Sequence, residues 1–323
     1  MTDLTRRHLA ATAIAGLIVP SPAKAQSPIA FPQSGVRQVR LGTFTVTTLL
    51  DANVMIDGPW PIVGEDRDRS EMDALMRENR LPPRRFKFCF TPTIVGTGRE
   101  TVLFDTGNGE VGFVPRPGGG QLAYLIAQAG LTPEGIDIVV LTHCHTDHIG
   151  GLMEGGKPLF PHARYVVGED EVAFWKDDRR LAAPEESNEY KSARVFRSHL
   201  LPMLDRIRFV KPGETVVPGI EALAAFGHTP GHLAFHVESD GQRLLIWGDC
   251  AHHEVASLAR PDWHALFDMD KDRGASTRRA IYDMAATDRV LVAGYHTSFP
   301  SLGYVTRDGL GYRWIPLTYQ LDR

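Results

Sequence analysis

Cysteine is scarce. Cys89, Cys144 and Cys250 are the only three among 323 residues, too few for a disulfide framework. No apolar run reaches the ~18 residues that a membrane-spanning helix requires, so no membrane span is expected. Basic runs are missing too, and the formal net charge is −4. An acidic chain without clustered Lys and Arg is a poor match for a phosphate backbone, which argues against nucleic acid as partner. What remains is 43% hydrophobic and 23% charged, enough for one large globular domain or two small ones.

The first 25 residues read as an address rather than as fold. Thr5-Arg6-Arg7-His8-Leu9 leads into a mildly apolar run from Leu9 to Val19, and Ala23-Lys24-Ala25 offers a small-residue cleavage site. The adjacent arginines fit a twin-arginine export signal, placing the mature chain in the periplasm or outside the cell. Residues 26–35 form a linker containing Pro and Ser, and residues 36–323 read as a single domain, since no later linker or internal repeat divides them. Residues 1–25 carry Arg6, Arg7 and Lys24 against Asp3, so their removal takes the net charge from −4 to about −6.

The densest chemistry lies in Thr142-His143-Cys144-His145-Thr146-Asp147-His148-Ile149-Gly150-Gly151. It follows the apolar run Ile136–Leu141, which reads as a buried strand. Residues two apart on a strand point the same way, so His143 and His145 project together and Cys144 turns away. Asp147 and His148 fall where the chain must turn, and Gly150-Gly151 permits a tight bend. Neutral imidazoles with a carboxylate suit zinc or a similar divalent metal.

Other segments take shape from periodicity. Leu41–Leu50, Thr101–Phe104, Ala163–Val167, Ile220–Phe226, Leu233–Val237, Arg243–Trp247 and Arg289–Ala293 read as strands. Ser70–Arg77, Gln121–Ala129, Glu169–Lys176, Glu186–Leu204 and Asp270–Ala286 read as helices. Phe86, Phe88 and Phe90 alternate along one strand face and are expected in sheet core, with a pocket wall as the alternative. The Gly- and Pro-rich stretch 107–120 reads as a mobile loop. Periodicity alone yields only a mixture of α and β.

Four further motifs complete a pattern: Val102-Leu103-Phe104-Asp105-Thr106-Gly107, Gly227-His228-Thr229-Pro230-Gly231-His232, Ile246-Trp247-Gly248-Asp249-Cys250, and the stretch from Val292 to Pro300 containing His296. Together with H-x-H-x-D-H, and in this order, the chain resembles the metallo-β-lactamase superfamily of metal hydrolases. The resemblance covers residues 36–323. It is nearest to the exported branch that includes methyl parathion hydrolase and related lactonases.

That resemblance implies an α/β fold, the αβ/βα four-layer sandwich. It also implies two divalent metal ions, zinc first. His143, His145 and His228 would hold one, Asp147, His148 and His296 the other, and Asp249 would bridge them. Seven ligands are too many for a single ion, which needs three or four. Asp105 and His232 would support the ligands through hydrogen bonds. A homodimer is implied as well. His162, His199, His236 and His264 read as surface or packing residues.

Two ions sharing a water lower its pKa from 15.7 to about 7, so a metal-held hydroxide is the expected nucleophile, positioned by Asp147 and Asp249. His252, ahead of His253, is the expected hydrogen-bond partner of substrate or leaving group. Phe113, Trp175 and Phe267 are the expected aromatic walls of a small-molecule pocket. The expected substrate is a lactone or carboxylic ester, apolar or aryl. An organophosphate triester is the alternative, followed by acyl-homoserine lactones, a glyoxalase-type thioester, or single-iron sulfur dioxygenation. His252 stands where acyl-lactonase relatives commonly carry tyrosine, and the full set of seven ligands argues against a single-iron site.

Overall fold

The structure, a computed structural model, describes residues 34–318. Residues 1–25, expected to be an export signal, and nearly all of the expected linker 26–35 lie outside the described residues. The first half supplies β1 (Val36–Leu41), β2 (Phe44–Leu49), β3 (Ala52–Asp57), α1 (Arg69–Glu78), β4 (Arg85–Phe90), β5 (Thr93–Gly96), β6 (Thr101–Phe104) and α2 (Leu122–Gln128). Then come β7 (Ile138–Val140), α3 (Thr146–Ile149), the short pair β8 (Met153–Glu154) and β9 (Lys157–Pro158), β10 (Arg164–Gly168), α4 (Glu169–Lys176), α5 (Asn188–Val195) and β11 (Ile207–Val210). The second half supplies β12 (Thr215–Val217), β13 (Ile220–Ala224), β14 (Leu233–Ser239), β15 (Gln242–Ile246), α6 (Ala256–Ala259), α7 (Lys271–Asp288), β16 (Leu291–Ala293), β17 (Leu302–Asp308) and β18 (Gly311–Pro316).

Two seven-stranded sheets result, ordered β1-β2-β5-β6-β7-β10-β11 and β12 through β18 in sequence order. Side chains alternate across each strand, and the alternation assigns the layers. Val102, Phe104, Ile138 and Val140 meet Phe235, Leu244 and Ile246 between the sheets. Leu103 and Val139 point the other way, onto Leu125, Ile126, Val172 and Phe196 of the helical side. Across the second sheet, Leu245 and Val292 face Ile281, Tyr282 and Ala285 of α7. The layers therefore run helix, sheet, sheet, helix, the expected αβ/βα sandwich.

Several expectations need adjusting. The strand expected over 41–50 is only β2, from Phe44 to Leu49; Leu41 ends β1, and the two pair as a hairpin with Leu41 opposite Phe44 and Val36 opposite Leu49. The hairpin of β17 and β18 was not foreseen. Phe86, Phe88 and Phe90 lie in neither large sheet. Their strand β4 pairs only with β3, as a separate ribbon. The 107–120 loop is anchored at its base, where the Asn108 backbone N–H (2.8 Å) and Nδ2–H (2.9 Å) both donate to Asp51 Oδ2, while Val111 and Phe113 are exposed at its tip.

The strands deliver their C-terminal ends to one edge. β6 and β7 run parallel, as do β15 and β16, and the Leu233 N–H donates to Thr142 O at 2.9 Å, tying the two sheets together there. Behind this edge the turn after α3 is crowded by backbone. A Cβ on Gly150 would stand 2.2 Å from Asn108 O. Gly150→Ala is expected to cost about 2–3 kcal/mol and to lower Tm by about 5–10 °C. Thermal unfolding checks this, and an unchanged Tm would contradict it.

Candidate metal centre

The seven residues named as ligands come from four places at that edge. His143, His145, Asp147 and His148 follow β7, His228 follows β13, Asp249 follows β15 and His296 follows β16. They converge into two donor groups, one of His143, His145, His228 and Asp249, the other of Asp147, His148, Asp249 and His296. Asp249 belongs to both. His143 and His145 project together as expected, but β7 ends at Val140, so the loop beyond the strand aims them.

The distances have the scale of a coordination shell. In the first group, His145 Nδ1 lies 3.1 Å from His143 Nε2 and 2.9 Å from His228 Nε2. Asp249 Oδ2 lies 3.2 Å from His228 Nε2. In the second, His148 Nε2 stands 3.3 Å from Asp147 Oδ2 and 3.0 Å from Asp249 Oδ1. His296 Nε2 stands 3.5 Å from Asp147 Oδ2 and 3.2 Å from Asp249 Oδ2. Four donors placed 2.0–2.1 Å from a shared centre at tetrahedral angles would lie ~3.3 Å apart. Both groups fit a small divalent cation.

The rear nitrogens show why these lone pairs point inward. The His148 Nδ1–H donates to Asp105 Oδ2 at 2.9 Å and that of His228 to Asp268 Oδ1 at 3.0 Å. His296 donates to Cys89 O at 2.8 Å, and His143 to Thr142 Oγ1 at 3.0 Å. Each donation leaves Nε2 with its lone pair facing the centre. His148 Nε2 and Asp249 Oδ1 are buried without a hydrogen-bond partner in the protein, a costly state unless a cation engages them.

Burial, and after it the surrounding imidazoles, hold His143 and His145 well below the ordinary imidazole range. Burial also opposes charge on His228, but the Asp249 and Asp268 carboxylates outweigh it and raise His228 to about 9. Asp268 is itself pushed upward by burial, yet Arg278 and His228 hold it at about 2. Asp268 escaped the sequence reading, where nothing in Phe267-Asp268-Met269 separates it from a surface acid.

Asp105 reaches three groups, accepting from the Thr142 N–H and Oγ1–H at 2.8 Å each as well as from His148. His232 Nε2 accepts from the Asp249 N–H at 3.2 Å, and its Nδ1–H donates to Ala225 O at 2.8 Å. It thereby fixes the backbone of the shared carboxylate. His252 faces the centre, with Nε2 3.6 Å from Asp249 Oδ2 and neither ring nitrogen hydrogen-bonded. His253 faces away, its Nδ1 accepting from the Val255 and Ala256 N–H groups at 3.1 Å.

Beside the centre opens a cavity of about 810 Å³, bordered by Val111, Phe113, Thr146, Tyr190 and Phe267. Phe113 and Phe267 thus stand where a pocket wall was expected. Trp175 does not. It is fully buried in the helical layer, with its indole 5.8 Å from the back of His145. Phe88 and Phe90 of the Phe row are buried in a small apolar cluster with Ala52, Val114 and Tyr295; from there Phe88 stacks on His296 at 4.3 Å and Phe90 lies 5.7 Å from Phe113. A larger cavity of about 1030 Å³, near Trp263 and Leu310, touches none of the seven.

Residues 91–293 match the Metallo-beta-lactamase superfamily, and the chain belongs to it. Among curated relatives, the probable metallo-hydrolase YflN of Bacillus subtilis (strain 168) is 30% identical over 121 residues, 34% of this chain and 43% of that protein. The chain spans less than half the length of the first curated relatives it matches. Two solved structures share the fold. AidC, a dizinc quorum-quenching lactonase in complex with a product, superposes with a TM-score of 0.79 at 23% identity, covering 88% of this chain and 98% of that one. The hydrolase AbOPH gives 0.80 at 24%, covering 89% and 99%.

The buried pair behind His228 is open to test. Arg278 binds Asp268 and donates to Pro261 O and Trp263 O at 3.0 and 2.8 Å. Asp268→Ala is expected to destabilise the chelated protein by about 3–5 kcal/mol by stranding that guanidinium, and adding Arg278→Met to recover most of the loss. Denaturant unfolding checks this. A double variant no more stable than Asp268→Ala would contradict it.

Proposed function

We propose that the chain is a dinuclear metal hydrolase that cleaves a lactone or carboxylic ester carrying an apolar or aryl group. The observation that carries this reading is the pair of donor groups joined by Asp249. One carboxylate reaching into both sets spaces two cations as a pair. Two divalent ions held there would supply Lewis acidity toward the substrate's oxygen and a water acidic enough to ionise near neutral pH.

The chain's own groups have definite tasks in this reading. Asp249 and Asp147 supply the negative charge that retains two cations in a buried setting. Asp147 is the least buried of the seven, so the open side of the centre lies toward it and the neighbouring Thr146. His252 is held at about 3, primarily by burial, and is therefore neutral at pH 7. One ring nitrogen can donate and the other accept, which suits it to the substrate's carbonyl or to the departing oxygen. Phe113 and Phe267, whose rings lie 6.3 Å apart, form an apolar side to the cavity and favour a substrate with an apolar or aryl arm. The lactonase description of AidC supports the same substrate class.

Elemental analysis together with turnover of dihydrocoumarin and methyl paraoxon tests the proposal. The expected result is two divalent ions per chain and faster hydrolysis of the lactone. Asp249→Ala should lower metal content and cut lactone turnover by on the order of 1,000-fold, the scale of losing a group that stabilises developing charge. Full turnover by the chelated protein or by Asp249→Ala would contradict it. Faster turnover of methyl paraoxon would instead favour the phosphotriester reading.

A further inference from the structure

One buried carboxylate has no part in the chemistry above. Glu171, in the first turn of α4, is fully buried and accepts four hydrogen bonds. Its Oε1 takes the Cys144 N–H at 2.8 Å and the Trp175 Nε1–H at 2.7 Å. Its Oε2 takes the Thr229 Oγ1–H at 2.6 Å and the Gly231 N–H at 3.1 Å. Burial pushes the Glu171 carboxyl upward from its ordinary value, and the four donors oppose that shift by favouring the ionised form.

The donors' positions give these bonds their meaning. Cys144 lies between His143 and His145, and Thr229 directly follows His228. Glu171 therefore ties the backbone between His143 and His145 to the 227–232 loop that carries His228, so it joins the three imidazoles of the first donor group; Asp147 and His148, further along the first segment, receive no bond from it. Those loops come from different sheets, His143 and His145 beyond β7 and His228 beyond β13. The 227–232 loop is pressed close: a Cβ on Gly231 would stand 2.1 Å from the Glu171 backbone N. Glu171 has no hydrogen bond to Asp147, His148 or His296. The second group takes its support elsewhere, from Asp105 at His148, Cys89 O at His296, and Tyr295, whose hydroxyl donates to Asp147 O at 2.6 Å. Trp175, buried where a pocket wall was expected, is part of this clamp.

We propose that Glu171 is a positioning residue that sets the cation affinity of the His143–His145–His228 group and leaves that of the Asp147–His148–His296 group unchanged. The proposal rests on the two-cation reading above. It identifies a residue outside both coordination spheres through which the two sites can be tuned separately. Glu171→Gln is the informative change. The new amide NH2 is best turned toward Thr229, whose hydroxyl can rotate to accept, but Gly231 N–H then faces a donor and loses its partner. The cradle persists while its grip on the His228 loop weakens.

The test is zinc binding by chelator competition, with circular dichroism of the metal-free proteins as a check on folding. His145→Ala and His296→Ala, each crippling one group, serve as backgrounds. Glu171→Gln is expected to weaken zinc by on the order of 10- to 100-fold, the usual effect of losing support behind a ligand, in the His296→Ala background. In the His145→Ala background it should change zinc affinity less than twofold. Equal weakening in both backgrounds, or in neither, would overturn the proposal. Thr229→Val removes a single link in the clamp and should give the same pattern at smaller size, so it decides the matter if Glu171→Gln fails to fold. Wild-type stoichiometry bears on the two-cation reading alone. Fewer than two zinc ions per chain would sink that reading, while the His296→Ala comparison would still decide the role of Glu171.

Discussion

The structure turns on convergent lone pairs. Five imidazoles and two carboxylates aim unshared electrons at a volume a few ångströms across. Most of them are almost wholly shut off from water, and without positive charge between them this arrangement is repulsive and poorly solvated. Much of the surrounding architecture makes it tenable. Carbonyl and carboxylate acceptors behind the rings fix which nitrogen keeps its lone pair, and the buried Arg278 balances Asp268. The hydrophobic layers supply the rigidity that holds the loops in place. Asp249 matters most because it is common to both donor groups and its backbone is itself held by His232.

The fold serves this end directly. Each sheet sends the ends of its strands to one edge, and the candidate ligands ride on the short connections just beyond. Neither half of the chain completes a donor group. The first donor group needs His228 and Asp249 from the second half, and the second needs Asp249 and His296. Packing of the two sheets through Phe104, Val140, Phe235 and Ile246 is thus a precondition for the site. The β3–β4 ribbon lays the buried Phe88 against His296 and Phe90 near Phe113, setting apolar packing beside a strongly polar centre.

Much of this was legible in the sequence because it was local. Six consecutive residues, His143 to His148, carry four ligand-type side chains, while His228, Asp249 and His296 were picked out by the family resemblance of the short motifs that hold them. Strands with period-2 patterns, such as Thr101–Phe104 and Arg243–Trp247, announced themselves. What could not be read depended on partners far away in the chain. Asp268 meets His228 across 40 residues and Glu171 meets Gly231 across 60, and neither sits in a pattern that marks it. Trp175 was misplaced because a tryptophan on a short helix looks the same whether it faces a cavity or the interior. Its partner Glu171, one turn earlier, holds it inward. The Phe86–Phe88–Phe90 row alternates as sheet core does, and Phe88 and Phe90 are buried core, but in the separate β3–β4 ribbon rather than in either large sheet.

The most direct test of the central claim is anomalous X-ray diffraction from crystals grown with zinc, recorded across the zinc absorption edge. Two peaks are expected per chain, about 3.5–4 Å apart, one beside His143, His145 and His228 and the other beside Asp147, His148 and His296, with Asp249 between them. A single peak, or peaks away from Asp249, would contradict the account.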